Sequence, residues 1–574
     1  MNISRREFLQ AMSLGLGMYL SKMPFGYGGD KQSINELLKR DTVPTNYYDL
    51  PKFGNVSLLH FTDCHAQLLP LYYREPSLHL GSAKFRDKFP FISGDKYLEH
   101  FGIPKNTPLA YANSSSNFEN LFHKFGAMGG FAHLSTLVKQ LKASRPGALL
   151  LDGGDTWQGS ATSLWTKGQD MVDACLLLGV DVMTAHWEFT YGMERVQEIV
   201  EKDFDGKIDF VAQNVLDLEF EEPVFKRYVM KEINSVPVAI IGQAFPFAPI
   251  AHPRHLIEKW QFGIREEEMQ EVIDEAKEAG AQIVVLLSHN GLTVDLKLAS
   301  RVSGIDVILG GHTHDALPTV QNVTNSGGKT MVVNSGSMGK FLAVMDFDVR
   351  DGKIKDYQFN MVPVFSDLIP ADPEMSSYIK NVRAPYVSKL SEKLAVSKDL
   401  LYRRGTFNGS FDQVICDALM ESQNAEIAFS PGFRWGLNVL PGQTITLEDV
   451  YAQTGITYPI VTRNEMTGSL IKEILESVAD NRFNPDPYFQ QGGDMARVGG
   501  LRYSIDLRET QGKRINDMTL NGKPLDANKT YAVAGWASVA RDIKGVPVYD
   551  VLADYLYDKE EVTVDCINDP LIRS

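Results

Sequence analysis

Two aspartates and five histidines stand directly after runs of apolar, largely β-branched residues. Asp63-Cys64-His65 follows VSLLHF, Asp155 follows ALLLDGG, His186 follows VDVMTA, His289 follows IVVLLS, and His312-Thr313-His314 follows DVILGG. Carboxylate oxygen and neutral imidazole together suit Mn, Fe, Co or Zn and differ from the all-oxygen set of a calcium site. The chain has 12 histidines, and any one beside a strand means little. Five of them, each ending an apolar run and two in G-H-x-H spacing, point to a centre of two metal ions. Such a pair clamps an oxyanion and acidifies water, so hydrolysis needs no serine or cysteine nucleophile.

The apolar runs read as buried strands of a parallel sheet, whose ligand crevice lies beyond the strand carboxyl ends. The seven residues are therefore expected to gather at one edge of a sheet. Alternation along extended segments would put Asp63 and His65 on one face, and His312 and His314 likewise, with Cys64 turned to the opposite side. The patterns GGFAHLSTLVKQLKA and IREEEMQEVIDEAKEAG predict helices between the strands and hence a layered α/β domain. After Asp372-Pro373, EMSSYIKNVRAPYVSKLSEKL predicts a connecting helix kinked at Pro385. An insertion over about 74–126, rich in Phe, Tyr, Lys and His, reads equally as a surface elaboration with its own small apolar cluster or as a channel wall.

With 574 residues, 44% hydrophobic and 22% charged, the chain can bury a large core and should form two domains or more. A net charge of −15 argues against nucleic acid or an anionic membrane as partner. Cys64, Cys175, Cys416 and Cys566 are too scattered for a disulfide scaffold, and Cys64 and Cys175 are expected to be buried. Ser4-Arg5-Arg6-Glu7-Phe8-Leu9-Gln10 before the apolar stretch Ala11–Leu20 reads as a twin-arginine signal, too short to anchor the mature protein in a membrane. It predicts export in the folded state to the periplasm, which lets a weakly held ion such as Mn²⁺ load inside the cell.

The segments TDCH (62–65), GGDTWQGS (153–160), AHWEFTYG (185–192), AQNV (212–215), SHNG (288–291) and GGHTHD (310–315) follow one another in this order. In that order they resemble the calcineurin-like metallophosphoesterases, in their 5′-nucleotidase branch. The resemblance implies an α/β fold: a layered αββα metallophosphoesterase domain joined by a helix to a second α/β domain of the 5′-nucleotidase C-terminal type. The implied divisions are a signal (1–30), a leader (31–51), the catalytic domain (52–365), a linker helix (366–396) and a substrate-binding domain (397–574). It also implies one metal held by Asp63, His65, Asp155 and His314, and a second by Asp155, His186, His289 and His312, with Asp155 bridging.

Three positions depart from the nucleotidase motif G-N-H-E-F-D-Y-G, in which the Asn ligates metal and the His, oriented by the Asp, assists the leaving group. Here those positions are His186, Trp187 and Thr190, so the ligand is imidazole and the acid/base pair is gone. An alkoxide leaving group gains typically 10²–10⁴-fold from a general acid. A thiolate, with a pKa near ~8.5, leaves unaided. The lost pair, the export signal, the HWEFTYG variant and the FSPGFRWG run (429–436) make the chain similar to the SoxB family of dimanganese thiosulfohydrolases.

That similarity implies two Mn²⁺, with Zn²⁺ as rival. It implies hydrolysis of sulfonate, as sulfate, from a C-terminal cysteine S-thiosulfonate on a SoxYZ-type sulfur carrier. Asp155, His186, Arg434 and Trp187 are then the catalytic candidates, and Arg434, Trp187 and Tyr191 the substrate contacts. Arg403 and Arg404 are weaker oxyanion candidates. The alternative is a periplasmic 5′-nucleotidase, but the usual aromatic base clamp is hard to find: its first segment reads GITYPIV (455–461), leaving Tyr458, Tyr488 and Phe489 as candidate rings.

Overall fold

The computed structural model describes residue 43 and residues 47–573. The twin-arginine signal and most of the expected leader lie outside the described residues. The last leader residues are packed: Tyr47 and Leu50 are buried, and the Tyr48 hydroxyl donates to the Pro363 carbonyl at 2.9 Å.

The strands ahead of the candidate ligands form as the apolar runs predict, in two six-stranded sheets as the αββα layering implies and not along the edge of a single sheet. In the first sheet Val56–Phe61, Leu149–Asp152, Val182–Met183 and Asp209–Phe210 run parallel, flanked by the antiparallel pair Phe341–Arg350 and Lys353–Pro363. In the second, Val236–Gln243, Ile283–Ser288, Val307–Gly310 and Gly328–Asn334 are parallel, with antiparallel strands at both edges. Strand Ile283–Ser288 shows why both faces must be covered. Val285 and Leu287 enter the core shared with Leu58, Leu150 and Val182 of the first sheet. Val284 and Leu286 point the other way, against Met269, Val272 and Ile273 of helix Glu266–Glu278 and Leu298 of helix Leu292–Arg301. On the far side of the first sheet, helix Phe131–Ser144 contributes Leu134, Leu137, Val138 and Leu141. The layers are thus helix, sheet, sheet, helix.

Asp372 caps the connecting helix Pro373–Arg383, its carboxylate accepting from Met375 N at 2.9 Å. The helix does not merely kink at Pro385. It ends, and a separate short helix follows at Val387–Leu390. Strand Lys393–Ser397 already pairs with Thr444–Thr446 and Glu561–Val562 in the second domain, which also carries two four-stranded sheets.

The insertion forms helices Gly94–His100, Pro108–Asn113 and Phe118–Phe125. It has no small core of its own, since Leu98, Leu109, Phe118, Leu121 and Phe125 belong to the main core. Lys340 fixes its start. This buried ammonium reaches Glu75 Oε1 at 2.5 Å and the Ala112 carbonyl at 3.0 Å.

Arg145, at the end of helix Phe131–Ser144, donates Nε to Asp346 Oδ1 and Nη2 to Oδ2, both at 3.0 Å, with both side chains fully buried. Ser57 donates to the same carboxylate at 2.6 Å. Replacing one partner leaves a buried charge uncompensated, so Arg145→Met is expected to destabilise the first domain by about 3–5 kcal/mol. Urea unfolding followed by circular dichroism measures this, and a loss below about 1 kcal/mol would show that the pair is not a tie.

Candidate metal centre

All seven candidate ligands come together between the carboxyl ends of the two sheets. Asp155, His186, His289 and His312 form one group and Asp63, His65, Asp155 and His314 another, with the donor atoms of each within 4.8 Å of one another. Asp155 belongs to both. Its Oδ2 lies 3.1 Å from His186 Nδ1, 3.0 Å from His289 Nε2 and 3.8 Å from His65 Nε2.

The convergence is not produced by strand alternation. Asp63, His65, Asp155, His312 and His314 all have positive φ, between 46° and 73°, so the chain leaves each strand in left-handed turns. Such backbone is costly for residues other than glycine and persists because the surroundings hold it. The lacing is visible: Asp63 N donates to the Gly154 carbonyl and His65 N to that of Asp155, both at 2.8 Å. His312 N donates to both oxygens of Asp63 at 3.0 Å. Cys64 is buried beneath, and so is Cys175.

Glu188 is the residue the motif reading passed over. Its buried carboxylate accepts from the backbone of His186 (2.8 Å), Asp155 (3.2 Å), Thr156 (2.6 Å) and Trp157 (3.1 Å). It therefore clamps the Asp155 turn to the His186 turn. The signal available in the sequence was an acidic residue inside an otherwise apolar, aromatic AHWEFTYG run.

The donor set fits a pair of cations. His186 Nε2, both nitrogens of His312 and His314 Nδ1 are buried without a hydrogen-bond partner among the described residues. His65 Nδ1 lies 3.2 Å from the Gln158 carbonyl, to which it donates, so its Nε2 presents a lone pair towards His314 Nε2 at 3.0 Å. Burial pushes His65 and His186 down to about 4, leaving neutral imidazoles ready to ligate at neutral pH. At His289 burial is outweighed by the carboxylates of Asp155 and Asp63, which lift it to about 10. The same negative potential attracts a metal cation.

A cavity of about 350 Å³ opens onto these ligands. Trp187 lines it, as expected of a substrate contact, together with Phe245 and, from the second domain, Phe433, Arg434 and Trp435. Trp435 and Phe433 stack with ring centroids 4.1 Å apart, and Trp187 meets them edge-on at 4.8 and 5.2 Å. His252, fully packed against His186 and Trp187, was not singled out by its sequence context.

Tyr191 is a correction. It is absent from the cavity wall, and its hydroxyl turns away to the Trp157 carbonyl at 3.1 Å and Ser163 at 3.1 Å. Arg434 does line the cavity, yet its Nη1 and Nη2 donate to the carbonyls of His312 (3.1 Å) and Gly493 (3.0 Å). Arg403 is buried against Asp412 at 2.7 Å, and Arg404 donates to the Thr313 carbonyl at 2.9 Å. Tyr488 and Phe489 lie off the cavity. Tyr458 stands behind Trp187, stacked at 6.3 Å.

Residues 395–551 match the family model described as 5′-nucleotidase, C-terminal domain. Snake venom 5′-nucleotidase of Naja atra is 24% identical, covering 71% of this chain and 83% of its own length. Among solved structures, the sulfate thiohydrolase SoxB of Thermus thermophilus, in complex with glycerol, superposes with a TM-score of 0.87 at 36% identity, covering 92% of this chain and 98% of its own. A 5′-nucleotidase precursor, also from Thermus thermophilus, superposes at 0.72 with 21% identity, over 90% of this chain and 99% of its own, and shares the fold.

Because Asp155 belongs to both groups, Asp155→Ala is expected to lose both metal ions and Asp63→Ala mainly one. Metal content of the purified variants by mass spectrometry checks this. Two equivalents retained in Asp155→Ala would refute the bridging role.

Proposed function

We propose, from the premise that the chain belongs to the 5′-nucleotidase superfamily of metallophosphoesterases, that it is a dimanganese thiosulfohydrolase releasing sulfate from a cysteine S-thiosulfonate carried by a SoxYZ-type protein. The observation that carries the reading is the aromatic wall of Trp187, Phe433 and Trp435 beside the ligand cluster, where a phosphomonoesterase needs a proton donor.

The two metal ions, held by Asp63, His65, Asp155, His186, His289, His312 and His314, would supply Lewis acidity to the sulfonate oxygens and to the attacking water. In the net reaction a water oxygen bonds to the terminal sulfur and the S–S bond breaks. The sulfane sulfur departs with the electron pair as a persulfide, and two protons go to solvent. The indole N–H of Trp187 is far too weak an acid to protonate a leaving group. Thr190, at the former Asp position, spends its hydroxyl on the Trp187 carbonyl at 2.7 Å, which holds the indole in place. A poorly hydrated sulfur anion suits an apolar wall better than an alkoxide does. The guanidinium of Arg434 stands at the cavity edge as the oxyanion contact, once a substrate oxygen replaces one of the carbonyls it now serves.

Export to the periplasm by the twin-arginine route belongs to the same proposal. No helix among the described residues is long and apolar enough to cross a membrane. The second reading, a 5′-nucleotidase, draws on the match of the second domain. Against it, Phe433 and Trp435 stack on each other rather than leaving a slot for a base.

Mn-loaded protein is expected to release sulfate from a thiosulfonate-charged carrier and no phosphate from AMP. The opposite result refutes the proposal. Arg434→Ala should lower sulfate release by about 10²-fold or more, as loss of a preorganised oxyanion donor does. In the double change Trp187→His with Thr190→Asp, phosphomonoester hydrolysis should rise above the parent level, and no rise would count against the leaving-group argument.

A further inference from the structure

Next to the catalytic cavity, and sharing His312, Arg434, Asn481, Gly492 and Gly493 with it, lies a second chamber of about 30 Å³. One water needs roughly 10–15 Å³ by the same measure, so the space takes a small ion and nothing as large as a nucleotide. Gly492 forms part of the shared wall. It has φ +85° and lies so close to the His312 ring that a side chain would collide with Nε2, and both residues line the two spaces.

The chamber wall includes Arg482, Arg434, Asn290, Thr293 and Gln490, with Phe91 of the insertion. Arg482 is only 5% exposed, and neither its Nε nor its Nη2 has a hydrogen-bond partner among the described residues. Its nearest carboxylate, Asp494, is shared by four guanidinia, at 3.5 Å from Arg482, 3.5 Å from Arg497, 3.7 Å from Arg434 and 3.8 Å from Arg404. Burial opposes ionisation of Asp494, but these cations hold its carboxyl well below the usual range. The other three arginines have further acceptors: Arg497 the Gly405 carbonyl, Arg434 those of His312 and Gly493, and Arg404 that of Thr313. Arg482 has only the long ion pair of its Nε with Asp494 and the Phe91 ring 5.3 Å beneath its guanidinium, and its Nη2 has no acceptor among the described residues. A buried guanidinium whose one carboxylate is shared with three other cations is under-satisfied, and a compact anion with oxygens at its corners relieves that cost. Asp315 also stands in the wall, 3.7 Å from His79 Nδ1.

We propose that this chamber binds a small tetrahedral oxyanion on Arg482, separately from the metal centre. Inorganic sulfate and inorganic phosphate share the required chemistry. That an oxyanion sits there rests on the guanidinium arrangement; that it is the released product, sulfate, rests on the thiosulfohydrolase reading.

Crystals of the metal-loaded protein soaked in selenate test the site directly. Selenium anomalous density is expected beside Arg482 and Thr293, apart from any at the metal ligands. In Arg482→Gln the chamber peak should vanish while density at the metal ligands stays. In solution, calorimetric sulfate affinity at this site should fall tenfold or more in Arg482→Gln, as loss of a charge-assisted hydrogen bond implies. Thr293→Asp, which places a carboxylate at the wall without touching Arg482, should weaken it similarly and serves if Arg482→Gln does not fold. Selenate only at the metal centre, or chamber density and affinity unchanged in these variants, overturns the proposal. Tighter binding of phosphate than of sulfate supports the site and overturns its assignment to the product. A protein that binds selenate in the chamber yet releases no sulfate from the carrier overturns the proposed function and leaves the site standing.

Discussion

One buried carboxylate holds the centre together. Glu188 gathers four backbone N–H groups from the two turns that follow the paired parallel strands Leu149–Asp152 and Val182–Met183. With that clamp in place, Asp155 can face both ligand groups and Trp187 N can donate to Asp155 Oδ1 at 2.8 Å. The left-handed residues at 63, 65, 155, 312 and 314 are strained individually. They are stable as a set because the turns hydrogen-bond one another and the strands before them are packed on both faces.

The second domain completes the site through polar contacts to ligand backbone rather than to ligand side chains. Arg434 and Arg404 donate to the carbonyls of His312 and Thr313, so the position of the G-H-x-H turn depends on both domains. Lys297 with Asp486 (2.6 Å) and Thr293 with Gln490 (3.0 Å) continue the seam along the helix that follows His289.

The departures at 186, 187 and 190 form one physical unit. The imidazole of His186 rests against Asp155, and the indole of Trp187 occupies what would be proton-donor space. Thr190 ties that indole's backbone down. Around them Phe433 and Trp435 build an apolar wall, with Tyr458 behind Trp187, that offers no general acid to an alkoxide.

Residue types and strand-ending spacing were enough to pick out the seven residues that gather in one cluster and the helix–sheet alternation, because strand periodicity and ligand chemistry are local properties. The family resemblance added Asp155 as the residue common to both groups and pointed to Trp187. The strand pattern alone reads as one sheet edge, and the two sheets are implied only by the family resemblance. That turns of positive φ aim the ligands is not disclosed, since hydrogen bonds between segments far apart in the chain set those geometries. Tyr191 looked like a substrate contact from its place in the motif, but a 3-10 turn swings its hydroxyl onto Trp157 and Ser163. Glu188, His252, Asp494 and Arg482 went unmarked because their meaning lies in partners 2 to 90 residues away or more. Local chemistry thus determined what the protein can bind. The tertiary structure decided where each donor points, because a side chain's direction is fixed by neighbours that the chain brings in from elsewhere.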